Sequence, residues 1–129
     1  MSDETEAETR AMRIDPVLRE AGWFDTSGAR LRMEKICPGR IAGGSRRLNP
    51  VTADYVFEYR GQKLATLEAK RAGLGHTVGV GQAKDYSRRL KARFAYASNG
   101  IGWYEIDMKT GNEREIAPPF PTPLPAQCD

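Results

Sequence analysis

Residues 52–71 read TADYVFEYRGQKLATLEAKR, two apolar runs separated by Arg60-Gly61. β-branched and aromatic residues favour extended strands, and a short glycine-containing break between two such runs is typical of a hairpin. The pattern therefore predicts paired strands over Thr52–Tyr59 and Gln62–Arg71. This hairpin is the clearest structural feature of the sequence, and its charged side chains guide the rest of the interpretation.

The register of the hairpin decides which charged side chains meet. If the hairpin is centred on Gly61, Asp54 lies opposite Glu68. The same register places Tyr59 opposite Lys63. Directly opposed residues point to the same face of a sheet, with their Cβ atoms about 4.5–5.5 Å apart, and a bulge would shift the pairing. The sequence therefore predicts a pair of carboxylates on one face of the hairpin.

Lys70 completes a charged group of three on that face. Strand side chains alternate between faces, so Lys70 points to the same face as Glu68, two residues before it. Adjacent carboxylates repel each other unless a cation lies between them, and oxygen ligands favour a hard ion such as Mg²⁺, with Mn²⁺ as a substitute. Such an ion polarises a phosphate and activates a water molecule, and Lys70 is suited to orienting that water.

A simpler interpretation stays open, in which Asp54 and Glu68 merely edge a sheet and Lys70 is their surface ion-pair partner. The apolar run of residues 64–67 before Glu68 favours the functional interpretation, because charges at a buried position are costly without a purpose. The opposite face of the hairpin is the predicted packing face, and it carries Tyr55, Phe57, Tyr59, Ala65, Leu67 and Ala69.

Helical and strand patterns alternate along the rest of the chain. Residues 3–21 predict a helix with a capping box between Thr5 and Glu8, and Asp15-Pro16 predicts an N-cap that starts a second helical segment. The other predicted elements are a strand over Arg32–Cys37, a loop over Pro38–Pro50, a helix over Val80–Lys91, and strands over Arg93–Ala97, Ile101–Ile106 and Glu113–Ile116. The glycine-rich residues 73–81 are either a mobile flap or a plain connector. This order predicts an α/β fold, a sheet flanked by helices.

The composition indicates one small domain with an uneven distribution of charge. The chain has 129 residues, 40% of them hydrophobic, and a net charge of +3, which fits a single core. A cluster of bases without an acid consists of Arg88, Arg89, Lys91 and Arg93. Such a cluster is typical of a polyanion partner or of a solvated helix face. Gln82 and Tyr86, four residues apart on the same helix, suit hydrogen bonding to phosphate or a half-buried helix face.

Several classes of function are excluded by composition. Cys37 and Cys128 have no metal-ligand spacing, so neither a zinc site nor a disulfide scaffold is expected. A single histidine, His76, excludes mechanisms that need a histidine pair. No apolar run reaches the roughly 20 residues of a membrane span, so we expect a cytoplasmic protein without membrane association. The proline-dense residues 118–129 predict a linker or tail, which limits the predicted domain to residues 1–117.

The segments around these motifs resemble a known family. They are Ala53–Phe57, Leu67–Arg71, Gln82–Tyr86 and Phe94–Gly100, with Glu6–Arg10, Ile14–Pro16 and Ala21–Trp23 before them and Glu113–Ile116 and Phe120–Pro123 after them. In this order and spacing they resemble the N-terminal nuclease domain of the R subunits of type I restriction enzymes. The resemblance extends from about Thr5 to Pro123.

The resemblance implies a role for each residue of the charged group. It implies a restriction-endonuclease-like PD-(D/E)xK core with a central mixed β-sheet. In that core Asp54, Glu68 and the backbone carbonyl of Ala69 bind the metal ion, and Lys70 is the catalytic lysine.

Further positions match the family outside the charged group. Gln82 and Tyr86 match its QxxxY motif, which implies that they position DNA. Related nucleases bring an acidic residue of the first helix near the metal, and Glu8 matches that residue, with Glu6 as the alternative. The proline of the motif name is replaced by Ala53, a departure that is frequent in this family.

The resemblance also implies a function and its partners. The implied function is that of a type I site-specific deoxyribonuclease, a Mg²⁺-dependent endonuclease acting on double-stranded DNA together with methyltransferase and specificity subunits. ATP would serve only motor domains, which this sequence lacks, as in a fragment or a stand-alone product. The alternative is a DNA-binding or docking module of nuclease fold, inactive without those subunits. In both cases Arg88, Arg89 and Lys91 are predicted to contact DNA phosphates.

Overall fold

The structure, a computed structural model, describes residues 4–37, 41–42, 46–47 and 51–123, with side chains described over residues 4–33 and 53–123. The helical elements are α1 (Glu6–Thr9), a π-helical segment (Arg10–Ile14), α2 (Asp15–Glu20) and α3 (Val80–Leu90). The strands are β1 (Ala29–Cys37), β2 (Ile41–Ala42), β3 (Arg46–Arg47), β4 (Val51–Tyr59), β5 (Gln62–Ala69), β6 (Phe94–Ser98), β7 (Trp103–Asp107) and β8 (Glu113–Ile116). None of these helices is long and apolar enough to cross a membrane.

Six of the strands form one mixed sheet, in the order β1-β4-β5-β6-β7-β8. The neighbours β5 and β6 are parallel, and the other neighbouring pairs are antiparallel. Parallel neighbours need a crossover connection, and α3 supplies it between β5 and β6. The predicted α/β fold, a central mixed sheet flanked by helices, is confirmed.

The predicted elements differ from the observed ones mainly at their ends. The strand predicted from Arg32 begins at Ala29, and the helix predicted to reach Lys91 ends at Leu90. The predicted loop, Pro38–Pro50, contains β2 and β3, which pair with each other, and its other residues lie outside the described ones. Strands of two residues are too short to produce a period in the sequence.

At its turn, the central hairpin departs from the predicted register. Tyr59 pairs with Gln62, so its predicted pairing with Lys63 is wrong. The reason is that Arg60-Gly61 forms a two-residue turn, with φ angles of 51° and 82°. Positive φ at both central residues is the geometry that best matches the twist of a tight hairpin.

Farther from the turn, a bulge restores the predicted register. The pairing shifts by one residue between Phe57 and the turn, and Tyr55 then pairs with Leu67. An extra residue on one strand of an antiparallel pair produces this shift. Tyr55 and Leu67 thus have the predicted register, and the charges of the next residues, Asp54 and Glu68, interact.

The first helical region continues through Asp15-Pro16, where the sequence predicted a new start. Asp15 has helical dihedral angles (φ −55°, ψ −41°) and donates its backbone N–H to the carbonyl of Arg10, five residues earlier. A proline ring collides with the carbonyl four residues before it in a regular α-helix, and the wider π turn over Arg10–Ile14 relieves that collision. The predicted N-cap role of Asp15 is therefore wrong.

Different helices cover the two faces of the sheet. The aromatic core lies on the side of the first helical region, and its buried residues are Ile14, Leu18, Ala21, Trp23, Tyr55, Phe57, Ala65, Leu67, Ala69, Tyr96, Trp103 and Phe120. On the other side, Ala83 and Tyr86 of α3 are buried against the sheet. Glu68 has the same strand parity as Thr66, whose Oγ1 lies 2.8 Å from Ser87 Oγ of α3, so Glu68 points to the face that α3 covers.

The proline-rich end of the described chain packs against the aromatic core. Phe120 is 3% exposed, and its ring centroid lies 5.2 Å from that of Phe57. The indole Nε1 of Trp23 donates to the carbonyl of Pro121 at 2.8 Å. The predicted linker comprises residues 118–129. Its described part, residues 118–123, packs against the core through the ring of Phe120 and the carbonyl of Pro121. The last six residues lie outside the described ones.

Candidate active site

The end of β5 brings two carboxylates and a lysine together. Asp54 Oδ2 accepts a hydrogen bond from the backbone N–H of Ala69 at 2.8 Å, which holds it across the hairpin. Lys70 Nζ lies 3.7 Å from Glu68 Oε2. The side chains are 14% exposed for Asp54, 6% for Glu68 and 21% for Lys70. The three residues predicted to form the site thus meet, and two of them are reached by solvent.

Glu68 carries the strongest electrostatic perturbation of the group. Burial and the negative charge of Asp54 raise the pKa of Glu68 from 4.5 to about 8, although the ammonium of Lys70 opposes them. Among the described residues Glu68 Oε1 is buried and has no hydrogen-bond partner. Two adjacent carboxylates cannot both ionise at little cost without a further positive charge. The arrangement is therefore one that a cation would stabilise.

Gly79, the residue before α3, closes one side of the site. It is buried, and a Cβ atom at this position would lie 2.8 Å from Glu68 Cγ and 3.5 Å from Lys70 Cε. Only glycine lets the start of α3 approach the carboxylate this closely. Within the glycine-rich residues 73–81, Gly79 is thus required for steric reasons.

The loop between Lys70 and α3 is attached to the rest of the domain by hydrogen bonds that include those of Leu74 and His76. Asn99 Nδ2 donates to the carbonyl of Leu74 at 2.6 Å. His76 Nε2 lies 2.7 Å from Glu115 Oε1, which links the loop to β8. These contacts favour the interpretation as a connector over that as a flap.

Glu6 is the acidic residue of the first helix that interacts with the charged group. Burial and the neighbouring charge of Asp54 raise the pKa of Glu6. Glu8 is exposed, and its Oε1 accepts the backbone N–H of Thr5 at 2.8 Å in the predicted capping box. A carboxylate that closes a capping box points back toward the helix N-terminus. The structure therefore favours Glu6, the alternative, over Glu8.

Arg10 also belongs to this group, although no pattern in the sequence singled it out. Its Nη1 lies 3.8 Å from Asp54 Oδ1, and its Nε donates to the hydroxyl of Tyr55 at 3.4 Å. That hydroxyl in turn donates to Asp15 Oδ1 at 2.5 Å. The sequence spacing between Glu6 and Arg10 could have identified Arg10, because residues four apart lie on the same face of a helix.

Two buried threonines form hydrogen bonds that connect the segments around the site, and neither was predicted as a site residue. Thr9 Oγ1 accepts the backbone N–H of Ala72, two residues beyond the catalytic-lysine candidate, at 3.0 Å. Thr66 Oγ1 lies 2.8 Å from Ser87 Oγ and so connects β5 to α3. The strand period indicates which face Thr66 occupies, but no sequence pattern identifies its partner.

The two residues matching the QxxxY motif lie in unlike environments on α3. Gln82 is exposed, whereas Tyr86 is 6% exposed and packs with Ala53 and Val56 of β4. Tyr86 thus has a packing role in the structure, and Gln82 is accessible to a ligand.

The basic cluster at the end of α3 is partly neutralised by acids. Arg89 Nε donates to Asp85 Oδ2 at 3.1 Å with its side chain 10% exposed, and Arg88 Nη1 lies 3.7 Å from Asp85 Oδ1. Arg93 forms two hydrogen bonds to the carboxylate of Asp107. Arg88, Lys91 and Arg93 remain exposed, although Arg93 is paired with Asp107.

The donor set at the end of β5 fits a hard divalent cation. Within the described part of the chain, no group of three or more His, Cys, Asp or Glu side chains is arranged to hold a metal ion. The predicted set is smaller, with the carboxylates of Asp54 and Glu68 and the backbone carbonyl of Ala69. All three are oxygen donors, which Mg²⁺ prefers, and so few protein ligands leave positions for water and phosphate. The partnerless Glu68 Oε1 is an available ligand atom.

Known proteins resemble this chain both in sequence and in structure. No family model matches it. It is 32% identical over 136 aligned residues, 95% of this chain, to the endonuclease subunit of the type I restriction enzyme EcoAI from Escherichia coli. It also superposes, with a TM-score of 0.78 and 34% identity over 92% of this chain, on a fragment described as the HsdR subunit of a type I restriction enzyme from Vibrio vulnificus YJ016. The chain spans 16% of the first protein and 24% of the second. The resemblance carried by the motifs is confirmed.

Proposed function

We propose that this chain, a relative of the endonuclease subunits of type I restriction enzymes over nearly its whole length, hydrolyses DNA phosphodiester bonds with the help of Mg²⁺. The observation that carries the proposal is the convergence of Asp54, Glu68 and Lys70 at the end of β5. Adjacent carboxylates in a partly buried position, with the pKa of one of them raised, mark candidate functional sites.

Each residue of the group has a chemical task in this proposal. Asp54, Glu68 and the carbonyl of Ala69 hold Mg²⁺, or Mn²⁺ in its place. When bound, the ion supplies a Lewis acid beside the phosphate. Lys70 orients the attacking water and offsets the negative charge that develops on the phosphate oxygens. Glu6 contributes further negative charge from the first helix.

The substrate and partners follow from the same relationship. We propose double-stranded DNA as the substrate, with Gln82 and Arg88 of α3 and Lys91 directly after it as its exposed contacts. Contacts from arginine and lysine to phosphates carry little sequence information. Recognition of a DNA sequence is therefore assigned to methyltransferase and specificity subunits, and use of ATP to motor domains of a larger cytoplasmic enzyme.

The test is cleavage of supercoiled plasmid by the wild-type chain and by Asp54→Asn, with Mg²⁺ or Mn²⁺. We expect metal-dependent nicking that Asp54→Asn abolishes, because the substitution removes a ligand charge and changes little in shape. Glu20→Gln is the matched control, since Glu20 is an exposed carboxylate on α2. Equal nicking by wild type and Asp54→Asn would reject Asp54 as a site residue.

Within the described residues no group of three or more His, Cys, Asp or Glu side chains is arranged to hold a metal ion, which favours one alternative, a DNA-binding or docking module that is silent alone. Titration with Mn²⁺ in a calorimeter separates the two functions. Binding by wild type that is lost in Asp54→Asn, without nicking, would indicate an intact site that needs its complex. Absence of Mn²⁺ binding in both proteins would overturn the proposed function.

A further inference from the structure

Arg10 presents its guanidinium at the wall of the candidate site in a fixed orientation. Its Cζ lies 4.9 Å above the ring of Tyr55, while its Nε donates to the hydroxyl of the same residue. Its Nη1 lies 3.8 Å from Asp54 Oδ1, and its side chain is 16% exposed. A stacked and hydrogen-bonded guanidinium loses less conformational freedom when it binds a ligand than a mobile one does.

The π-helical segment explains how this orientation is maintained. Arg10 begins the segment and Asp15 follows its last residue, and both contact the hydroxyl of Tyr55. In a regular α-helix two residues five apart would point about 140° away from each other. The extra residue of a π turn brings them to one side, and such turns are frequent at functional sites. The irregularity of the helix thus serves the placement of Arg10.

The contact between Arg10 and Asp54 is an ion pair without a close hydrogen bond. Asp54 Oδ2 already accepts the N–H of Ala69, so Oδ1 is the oxygen that faces the guanidinium. A divalent cation bound to Asp54 would meet the positive charge of Arg10 at short range, and the two repel each other. A guanidinium has five N–H donors in one plane, which fit a phosphate as well as a carboxylate.

Resting on the proposed function, we propose that Arg10 is a further substrate-binding residue of the site. Arg10 neutralises Asp54 in the metal-free protein, and its terminal N–H groups contact a DNA phosphate once Asp54 is committed to the cation. The bond from Nε to Tyr55 anchors the side chain in both states.

The first arm of the test measures Mn²⁺ affinity by calorimetry in the absence of DNA. Arg10→Gln removes the competing charge, so we expect about tenfold tighter binding, the size of a short-range charge interaction in a solvated site. Arg13→Gln is the matched control, because Arg13 lies on the same helical region but is exposed and pairs with Glu4. It removes the same charge, and we expect no change in Mn²⁺ affinity.

The second arm measures the affinity for a short DNA duplex by fluorescence anisotropy, with Ca²⁺ as the cation. We expect Arg10→Gln to bind DNA about tenfold more weakly, the usual effect of losing a charge-assisted hydrogen bond. Arg10→Lys keeps the charge without the planar donors, so we expect wild-type Mn²⁺ affinity and weakened DNA binding. This variant keeps the test decisive if Arg10→Gln does not fold.

The opposite signs of the two effects distinguish ligand binding from a structural role. A variant that binds both Mn²⁺ and DNA more weakly, or both as wild type does, would overturn the assignment of Arg10 and leave the proposed function standing. Failure of the wild-type protein to bind Mn²⁺ would instead overturn the proposed function, and the assignment of Arg10 with it.

Discussion

On the face of the sheet covered by the first helical region, stacked and edge-on aromatic rings fill the space between the layers. The ring of Phe57, for example, has four aromatic neighbours whose centroids lie 4.9 to 6.5 Å away: Trp23, Tyr55, Tyr96 and Phe120. At the candidate site, Glu68 at the end of β5 instead lies beside the carboxylate of Asp54 of β4, and Glu68 Oε1 has no hydrogen-bond partner among the described residues.

The two faces differ in what their residues contribute to the folded state. Burying aromatic rings is strongly favourable, and edge-on and stacked pairs add to it. Burying a carboxylate beside another carboxylate is unfavourable until a ligand compensates it. The sheet therefore combines a stabilising face with a face whose adjacent carboxylates cost stability, as expected of the proposed binding site.

The largest effect is expected on the aromatic face, from Phe57→Ala. Phe57 is 1% exposed, and removal of its ring leaves a cavity among four aromatic neighbours. We expect the free energy of unfolding to fall by about 3–5 kcal/mol. Urea denaturation measures it, with Ile101→Ala as the control because Ile101 is 65% exposed. A loss no larger than that of the control would show that the rings do not form the stabilising core.

A smaller effect of opposite sign is expected on the site face, from Glu68→Gln. The substitution keeps the shape of the side chain, removes its charge and provides an N–H group near Asp54. At pH 8 without metal we expect the protein to gain about 1–3 kcal/mol of stability, the cost of an unsatisfied buried acceptor. Mn²⁺ binding should be lost at the same time. Destabilisation by Glu68→Gln would mean that the carboxylate is a structural group.

The pH dependence of stability tests the same comparison. The folded-state pKa of Glu68, about 8, lies above its ordinary value of 4.5, so between these values the unfolded chain is ionised while the folded chain keeps the proton. The contribution of protonated Glu68 to the free energy of unfolding is fully present below pH 4.5 and is lost as the pH rises toward 8. We therefore expect the stability advantage of Glu68→Gln over wild type to grow across this range in metal-free denaturation experiments. An advantage that is constant with pH would contradict the raised pKa.

How far the sequence predicts each face depends on the range of the interactions involved. Asp54, Glu68 and Lys70 were predicted together because strand alternation and hairpin pairing are local rules with a fixed period. Neither the two-residue turn at Arg60-Gly61 nor the bulge beside Phe57 was predicted. Each shifts the register by one residue, and the two shifts cancel. Tyr55 and Leu67 therefore pair in the predicted register, although the predicted pairing at Tyr59 is wrong.

Interactions between distant segments were missed for a physical reason. Arg10 reaches Asp54 from the start of the π turn in the first helical region, and a hydrophobic period does not reveal such a turn. Glu8 was predicted both as a capping residue and as a metal neighbour, although a carboxylate that closes a capping box has one orientation. Phe120 was assigned to a linker because its proline neighbours mark irregular backbone, which can still pack against a core.

The smallest effect on stability is expected at the end of α3, from the double variant Arg88→Gln with Lys91→Gln. Both side chains are exposed, so we expect the free energy of unfolding to change by less than about 0.5 kcal/mol. If they contact phosphates, the slope of the logarithm of DNA affinity against the logarithm of salt concentration should become shallower by about 2, close to one unit for each lost contact. Filter binding at several salt concentrations measures that slope. An unchanged slope would mean that Arg88 and Lys91 do not contact DNA and that binding is confined to the face near Asp54. The ion pairs that Arg89 forms with Asp85 and Arg93 forms with Asp107 would then represent the whole basic cluster, whose charges are neutralised within the protein.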